Sequence, residues 1–302
     1  MVGTTTVKVA LDWTPNTIHT GLFVALENGL YAKHGLDVQL LSPDPSYSTT
    51  PAKQVEKGEV DLAICPSESC IAYAESGKMH LQAIYAILQK DASAIVAVDS
   101  AYSKIQGLET GVYGSYNARY EDHIVRAMVT KDSGNGQTLN ITSSVGKLSL
   151  FEALKHRKID ATWVFLPWEG VEAEMEGIQL YTHQPEEYGV PYGYSPVIAR
   201  NASAKGPSPE ALKAFVQATK EGYASAISNP SGAIKVLGRH CQPARSEEFL
   251  EKSQKMINTY HGQETGIMSE EKWARFLDWL KQQGLLKAPD VAADKLYTNE
   301  FF

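Results

Sequence analysis

Short runs rich in β-branched residues alternate with stretches of helical spacing through the first two thirds of the chain. Strand-like runs occur at 7–13, 36–42, 60–65, 81–88 and 93–98, then at 110–114, 139–144, 159–166, 178–183 and 196–200. Between them, apolar residues recurring at i, i+3 and i+4 predict helices over 17–33, 50–58, 118–131 and 148–157. Ile18, Leu22, Ala25 and Leu26 share one such face, and Gly29 and Gly35 punctuate its exit. Alternation of this kind predicts an α/β fold with mainly parallel sheets.

After residue 207 the pattern changes. SPEALKAFVQATKEGYASAI, SGAIKVLGRH, RSEEFLEKSQKMINTYH and SEEKWARFLDWLKQQG read as four successive helices with no strand between them. SPEA and SEEK set a serine before a first turn rich in Pro and Glu, a helix-start signature. Such a tail has no sheet of its own to build, so it is expected to wrap one formed earlier. The pattern also contains an internal echo. QVEKGEVDLAICPSES and ALKHRKIDATWVFLPWE both run from helix to basic turn to an apolar–Asp–Ala-like strand, then to Pro with Glu close behind. Two similar α/β lobes would produce this echo, and so would chance likeness between two βα units.

Composition then narrows the chemistry. A chain of 302 residues, 43% hydrophobic and 21% charged, has ample core for one large or two medium domains. A net charge of −7 and the absence of any Lys/Arg run argue against a nucleic-acid partner. Cys65, Cys70 and Cys241 do not suggest a disulfide framework. The eight histidines show no metal-site spacing, so no metal and no cofactor is expected. GYSPV lacks the closing glycine of a nucleophile elbow, and GNGQTL follows no convincing strand. No apolar stretch approaches membrane-spanning length. MVGTTTVKVALDW lacks the layout of a secretory signal. A cytoplasmic location is therefore expected if Met1 is the natural start. A periplasmic or lipid-anchored one, with a transporter permease as partner, is expected if a signal peptide has been removed.

LDWTPNTIHTGLFVALENGLYAKHGLDVQLL, GEVDLAICPSES, YGVPYGYSPVIARN and the terminal LYTNEFF together resemble the NMT1/THI5-like (SsuA/THI5) branch of type II periplasmic-binding-protein folds. The likeness spans nearly the whole chain and is closest to binding proteins for thiamine-pyrimidine precursors. It implies two α/β lobes with a ligand cleft between them: lobe one from 1–94 and 197–302, the second part mostly helical, and lobe two from 95–196. It also implies a small pyrimidine ligand, so a solute-binding protein is expected rather than an enzyme. Fungal relatives make the thiamine pyrimidine phosphate, consuming their own histidine and pyridoxal phosphate. They carry a Lys and a His after the third strand and a cysteine-rich iron-binding stretch near the second crossover. Here the matching places read CPSES, with Cys65 and Ser69 at the aligned positions, and PYGYSP.

In open sheets of this kind the strand C-terminal ends face the crevice. Candidate ligand contacts therefore lie at the strand exits. The first offers Trp13 as a stacking wall, Asn16 as a mixed donor and acceptor, and His19, which serves structure equally well. The third offers Ser67, either an N-cap or a ligand contact, followed by Glu68, read as complementing the helix dipole. GVYGSYNARYED places Gly114, Ser115 and Asn117 before a helix, as an anion cradle or as ordinary caps. FLPWEG presents Trp168 beside Glu169, suited to stack on a ring and accept from its exocyclic amine. One of Tyr192 or Tyr194 in the return crossover is expected to touch ligand.

Overall fold

The computed structural model describes residues 4–262, 265–288 and 290–302. The chain builds two five-stranded sheets of the same topology. The first contains β1 (Thr5–Ala10), β2 (Leu36–Leu41), β3 (Leu62–Cys65), β4 (Leu81–Ala86) and β10 (Val197–Asn201), in the order β2-β1-β3-β10-β4. The second contains β5 (Ser93–Ala97), β6 (Val112–Gly114), β7 (Asn140–Thr142), β8 (Ala161–Phe165) and β9 (Tyr181–His183), in the order β7-β6-β8-β5-β9. Four strands in each sheet run in one direction, and one, β10 or β5, is inserted antiparallel between the third and the edge strand β4 or β9. That inserted strand is the first the chain forms after crossing from the other sheet. The crossings lie at 87–92 and 184–196.

The internal echo is a structural repeat. α3 (Pro51–Glu56) leads into β3 as α6 (Leu150–Lys155) leads into β8. The Asp before each strand plays one role twice. The Asp61 carboxylate accepts from Lys8 N at 2.8 Å while Asp61 N donates to Lys8 O at 3.0 Å. Asp160 accepts from Val112 N at 2.7 Å, and its own N–H donates to Val112 O at 2.8 Å. Each Asp thus registers a central strand against its parallel neighbour. β3 and β5 are buried along their whole length, as their apolar runs, with Ser93 the one polar residue at the start of β5, require.

The predicted helix over 17–33 is divided. A 3-10 turn (Thr17–His19) opens α1 (Thr20–Glu27), and Gly29, at φ +68°, ends the run before α2 (Leu30–Lys33). α4 (Ser67–Ser76), α5 (Glu121–Lys131) and α7 (Val171–Met175) follow their strands at the sheet ends. The tail supplies α8 (Pro209–Ser228), α9 (Pro230–Gly238), α10 (Glu247–Asn258) and α11 (Glu270–Gln282). Ser208, Ser246 and Ser269 cap α8, α10 and α11 through their side chains. As expected, the tail packs on the first sheet's helices: Tyr223 donates to Ile18 O at 2.7 Å and Tyr31 meets Thr219 at 2.9 Å. No described helix is long and apolar enough to cross a membrane.

α1 and α8 touch through glycine. A Cβ on Gly222 would sit 2.1 Å from Gly21 O and 2.8 Å from the Ala25 methyl, neither of which can swing aside. Gly222→Ala is therefore expected to cost about 1–3 kcal/mol by overpacking, read in urea as a lower midpoint with an unchanged slope.

Candidate functional site

The exits of β1, β3 and β8, the loop after β6 and the returning crossover converge on a cavity of about 420 Å³, a size suited to a small heteroaromatic ligand. At the β1 exit, Asn16 starts the 3-10 turn: its Oδ1 accepts from Ile18 N at 2.9 Å and its amide donates to Thr14 O at 3.0 Å. Its backbone N–H donates to His19 Nδ1 at 3.3 Å, so Nε2 is the protonated nitrogen and donates to Asp12 at 2.8 Å. His19 is thus fully buried behind the turn, where it pins Asp12 while Asp12, Trp13 and Asn16 line the cavity. Trp13 stands between two tyrosines, with ring centroids 6.0 Å from Tyr47 and 6.0 Å from Tyr116. Tyr116 comes from the other sheet's half, so this aromatic rim spans the cleft.

At the β3 exit the helix cap is Pro66, and Ser67 is the first helical residue. Its hydroxyl caps nothing. The oxygen is buried without a hydrogen-bond partner and packs against Gly193, where a Cβ would lie 2.3 Å away. Glu68, by contrast, lines the cavity at 3% exposure, and its Oε2 has no hydrogen-bond partner. Burial, followed by repulsion from Glu121, pushes its carboxyl up to about 8. A dipole-complementing surface acid would behave in the opposite way. Cys65 also lines the cavity, and its hydrogen bond to Cys70, with burial, drives its thiol well up, away from a reactive thiolate.

The loop after β6 is not an open anion cradle, because the chain fills it with its own carboxylate. Glu121 accepts from Tyr116 N at 3.0 Å, Ala118 N at 3.0 Å and the Tyr113 hydroxyl at 2.7 Å. Ser115 is buried beneath, donating to Asp122 at 2.6 Å and accepting from Asn117 N at 2.9 Å. Asn117, held at φ +60°, lines the cavity; Ser115 does not.

β8 ends in a single π turn, Leu166–Gly170, an irregularity frequent at functional sites. Trp168 and Glu169 both reach the cavity wall from this turn. Glu169 accepts from Phe165 N at 3.0 Å, and burial raises its carboxyl to about 7. Trp168 is also docked on α10, edge-on to Phe249 at 4.7 Å with the Arg245 guanidinium over both rings. Arg245 bridges to Glu172 at 2.8 Å, Lys252 to Glu174 at 3.0 Å, and the Ser253 hydroxyl donates to Pro167 O. In the return crossover, Tyr192 lines the cavity between Trp163 at 5.2 Å and Phe276 at 5.3 Å. Tyr194 instead accepts from Ser269 N at 2.9 Å, buried at the start of α11.

Of the candidate contacts, Trp13, Asn16, Asn117, Trp168, Glu169 and Tyr192 meet at one cavity. His19, Ser67, Ser115 and Tyr194 are turned away from it, each spent on local packing or hydrogen bonds. Tyr47, Tyr116 and Trp163 carry no expectation from sequence, and Glu68, expected to complement the helix dipole, lines the cavity instead. Trp163 and Phe165 had a readable signal, since they alternate with buried Thr162 and Val164 on a strand with one face open.

Two α/β lobes with a cavity between their strand ends define the class: a type II periplasmic-binding-protein fold. The alkanesulfonate-binding protein SsuA of Xanthomonas axonopodis pv. citri, solved bound to MOPS, superposes with a TM-score of 0.73 at 12% identity, covering 99% of each chain. Residues 16–233 match the NMT1/THI5-like family, and the chain belongs to it. It is 28% identical to the formylaminopyrimidine-binding protein of Halalkalibacterium halodurans over 96% of this chain and 88% of that one. It is 25% identical to the 4-amino-5-hydroxymethyl-2-methylpyrimidine phosphate synthase of Legionella pneumophila over 76% of this chain and 72% of that one.

The Glu68 environment has a measurable signature without ligand. Between the ordinary carboxylate range and about 8, the unfolded chain ionises this group while the folded chain keeps its proton, so wild-type stability falls as pH rises. Glu68→Gln has nothing to titrate. Its melting temperature relative to wild type is expected to rise steadily from about pH 5 to about pH 8, measured by paired thermal scans.

Proposed function

We propose that this protein binds a small thiamine-related aminopyrimidine, of the formylaminopyrimidine or hydroxymethylpyrimidine type, and serves thiamine-precursor uptake, salvage or biosynthesis. The observation that carries the reading is the pairing of aromatic walls with acids held near or above neutrality. Trp13, Tyr116, Trp163, Trp168 and Tyr192 offer flat apolar faces to a ring. Asn16, Asn117, Glu68 and Glu169 offer the mixed donors and acceptors that amino and ring nitrogens need. The halalkaliphile relative's ligand is of this chemistry. In this reading lobe one comprises the chain up to the 87–92 crossing together with 197–302, and lobe two comprises 93–196. The boundary moves from 94/95 because β5 begins at Ser93, and ligand contacts on both lobes favour the closed arrangement. A permease partner belongs to the reading for an exported form.

The synthase reading has less support. At the aligned positions after β3 stand Cys65 and Ser69, both on the cavity wall, with no lysine there to form a Schiff base. Lys147 reaches the cavity from elsewhere, its ammonium 5.3 Å over the Tyr47 ring.

Calorimetric titration with formylaminopyrimidine and with 4-amino-5-hydroxymethyl-2-methylpyrimidine is expected to give saturable heat with at least one of them. Trp13→Ala should weaken that binding roughly 10–100-fold, from lost stacking and lost apolar burial. Absence of heat and of thermal shift with both compounds would remove the reading, and undiminished affinity in Trp13→Ala would remove the stacking role.

A further inference from the structure

Glu68 is a buried acid that the fold leaves unused. Its Oε2 lacks a hydrogen-bond partner, although neighbouring carboxylates in the site are spoken for: Glu121 by two backbone N–H groups and a tyrosine, Glu169 by Phe165 N. Among the described residues no cation pairs with it. Arg119, from the loop before α5, is engaged by Glu75 at 3.2 Å, and Lys147 sits over Tyr47. The other titratable groups facing the cavity are Asp12 after β1, Tyr47 after β2, Cys65 at the end of β3, Tyr73 on α4, Tyr116 and Glu121 around the start of α5, Glu169 after β8, and Tyr192 in the return crossover. What acts on the Glu68 carboxyl is burial and the neighbouring Glu121, and both disfavour its charged form.

Resting on the binding reading above, we propose that Glu68 selects the ligand as a neutral carboxylic acid: its O–H donates to an acceptor ring nitrogen while its carbonyl oxygen accepts from the adjacent amine. A carboxylate at this place could only accept, and would meet the ring nitrogen lone pair with repulsion. An unpaired polar atom in the wall makes a ligand lacking either partner bind poorly, because the site's own group stays unsatisfied. The same device makes binding proton-linked. The pair needs one proton, shared between Glu68 and the ring. Below about 8 Glu68 already holds it, and above that pH binding must draw it from solvent.

The test is calorimetry with 4-amino-5-hydroxymethyl-2-methylpyrimidine from about pH 6 to about pH 9.5, on wild type, Glu68→Gln and Glu68→Ala. Wild-type affinity is expected to fall roughly tenfold per pH unit above about 8, with proton uptake visible in buffers of different ionisation heat. Glu68→Gln keeps a donor and an acceptor but does not titrate, so it should lie within about tenfold of wild type near neutrality and stay flat above about pH 8. Glu68→Ala should lose roughly 10–100-fold near neutrality. Any titration of Glu169 is common to all three proteins and cancels in the comparison. Superimposable profiles for wild type and Glu68→Gln, or undiminished affinity in Glu68→Ala, would overturn this inference while leaving the binding reading intact. A wild type that binds neither pyrimidine at any pH overturns both.

Discussion

The architecture depends on one backbone constraint: in each sheet the strand formed on arrival from the other sheet is inserted antiparallel beside the third parallel strand. β10 and β5 are these strands and occupy corresponding places. The first sheet is whole only once the chain has passed through the second and returned as β10. The parallel strands of both sheets then end toward a shared crevice, which is where open α/β sheets hold ligands. Asp61 and Asp160 reinforce this by fixing the register of the two strands whose exits carry most of the site's chemistry.

The site built on that frame combines desolvation with deliberate neutrality. The cavity wall is dominated by aromatic rings, and the fold uses its backbone N–H groups to satisfy its own acid, Glu121, rather than a guest anion. Glu68 and Glu169 are raised by the burial that the rings impose. The solved sulfonate-binding relative shares the fold at 12% identity. Likeness at that level carries the frame and leaves the chemistry of the crevice to the side chains.

Periodicity made the frame legible before any coordinates. The strand runs, the helical tail and the serine caps of α8 and α11 correspond to local signals, and the echo with its repeated Asp marks the doubled sheet. Helix 17–33 was less legible, because Gly29 was read as punctuation near the end of one helix rather than a break between two. Site residues were legible where a strand exit places them. Trp13, Asn16, Trp168 and Glu169 needed only that rule. His19, Ser67 and Ser115 also stand at strand exits, and Tyr194 in the return crossover, yet only tertiary partners decide that their side chains turn inward. Glu68 was misread for the converse reason. A Glu at a helix start ordinarily complements the dipole in solvent, and nothing local shows that a second lobe will cover it.

The docking of Trp168 on α10 has a mechanical corollary. The indole is at once wall of the crevice and buttress against Phe249, with Arg245, Lys252 and Ser253 fastening the surrounding turn. Prising the halves apart along this side must unzip that seam as well as uncover the guest. Residence time would then be set partly by a fastening that never touches the cargo.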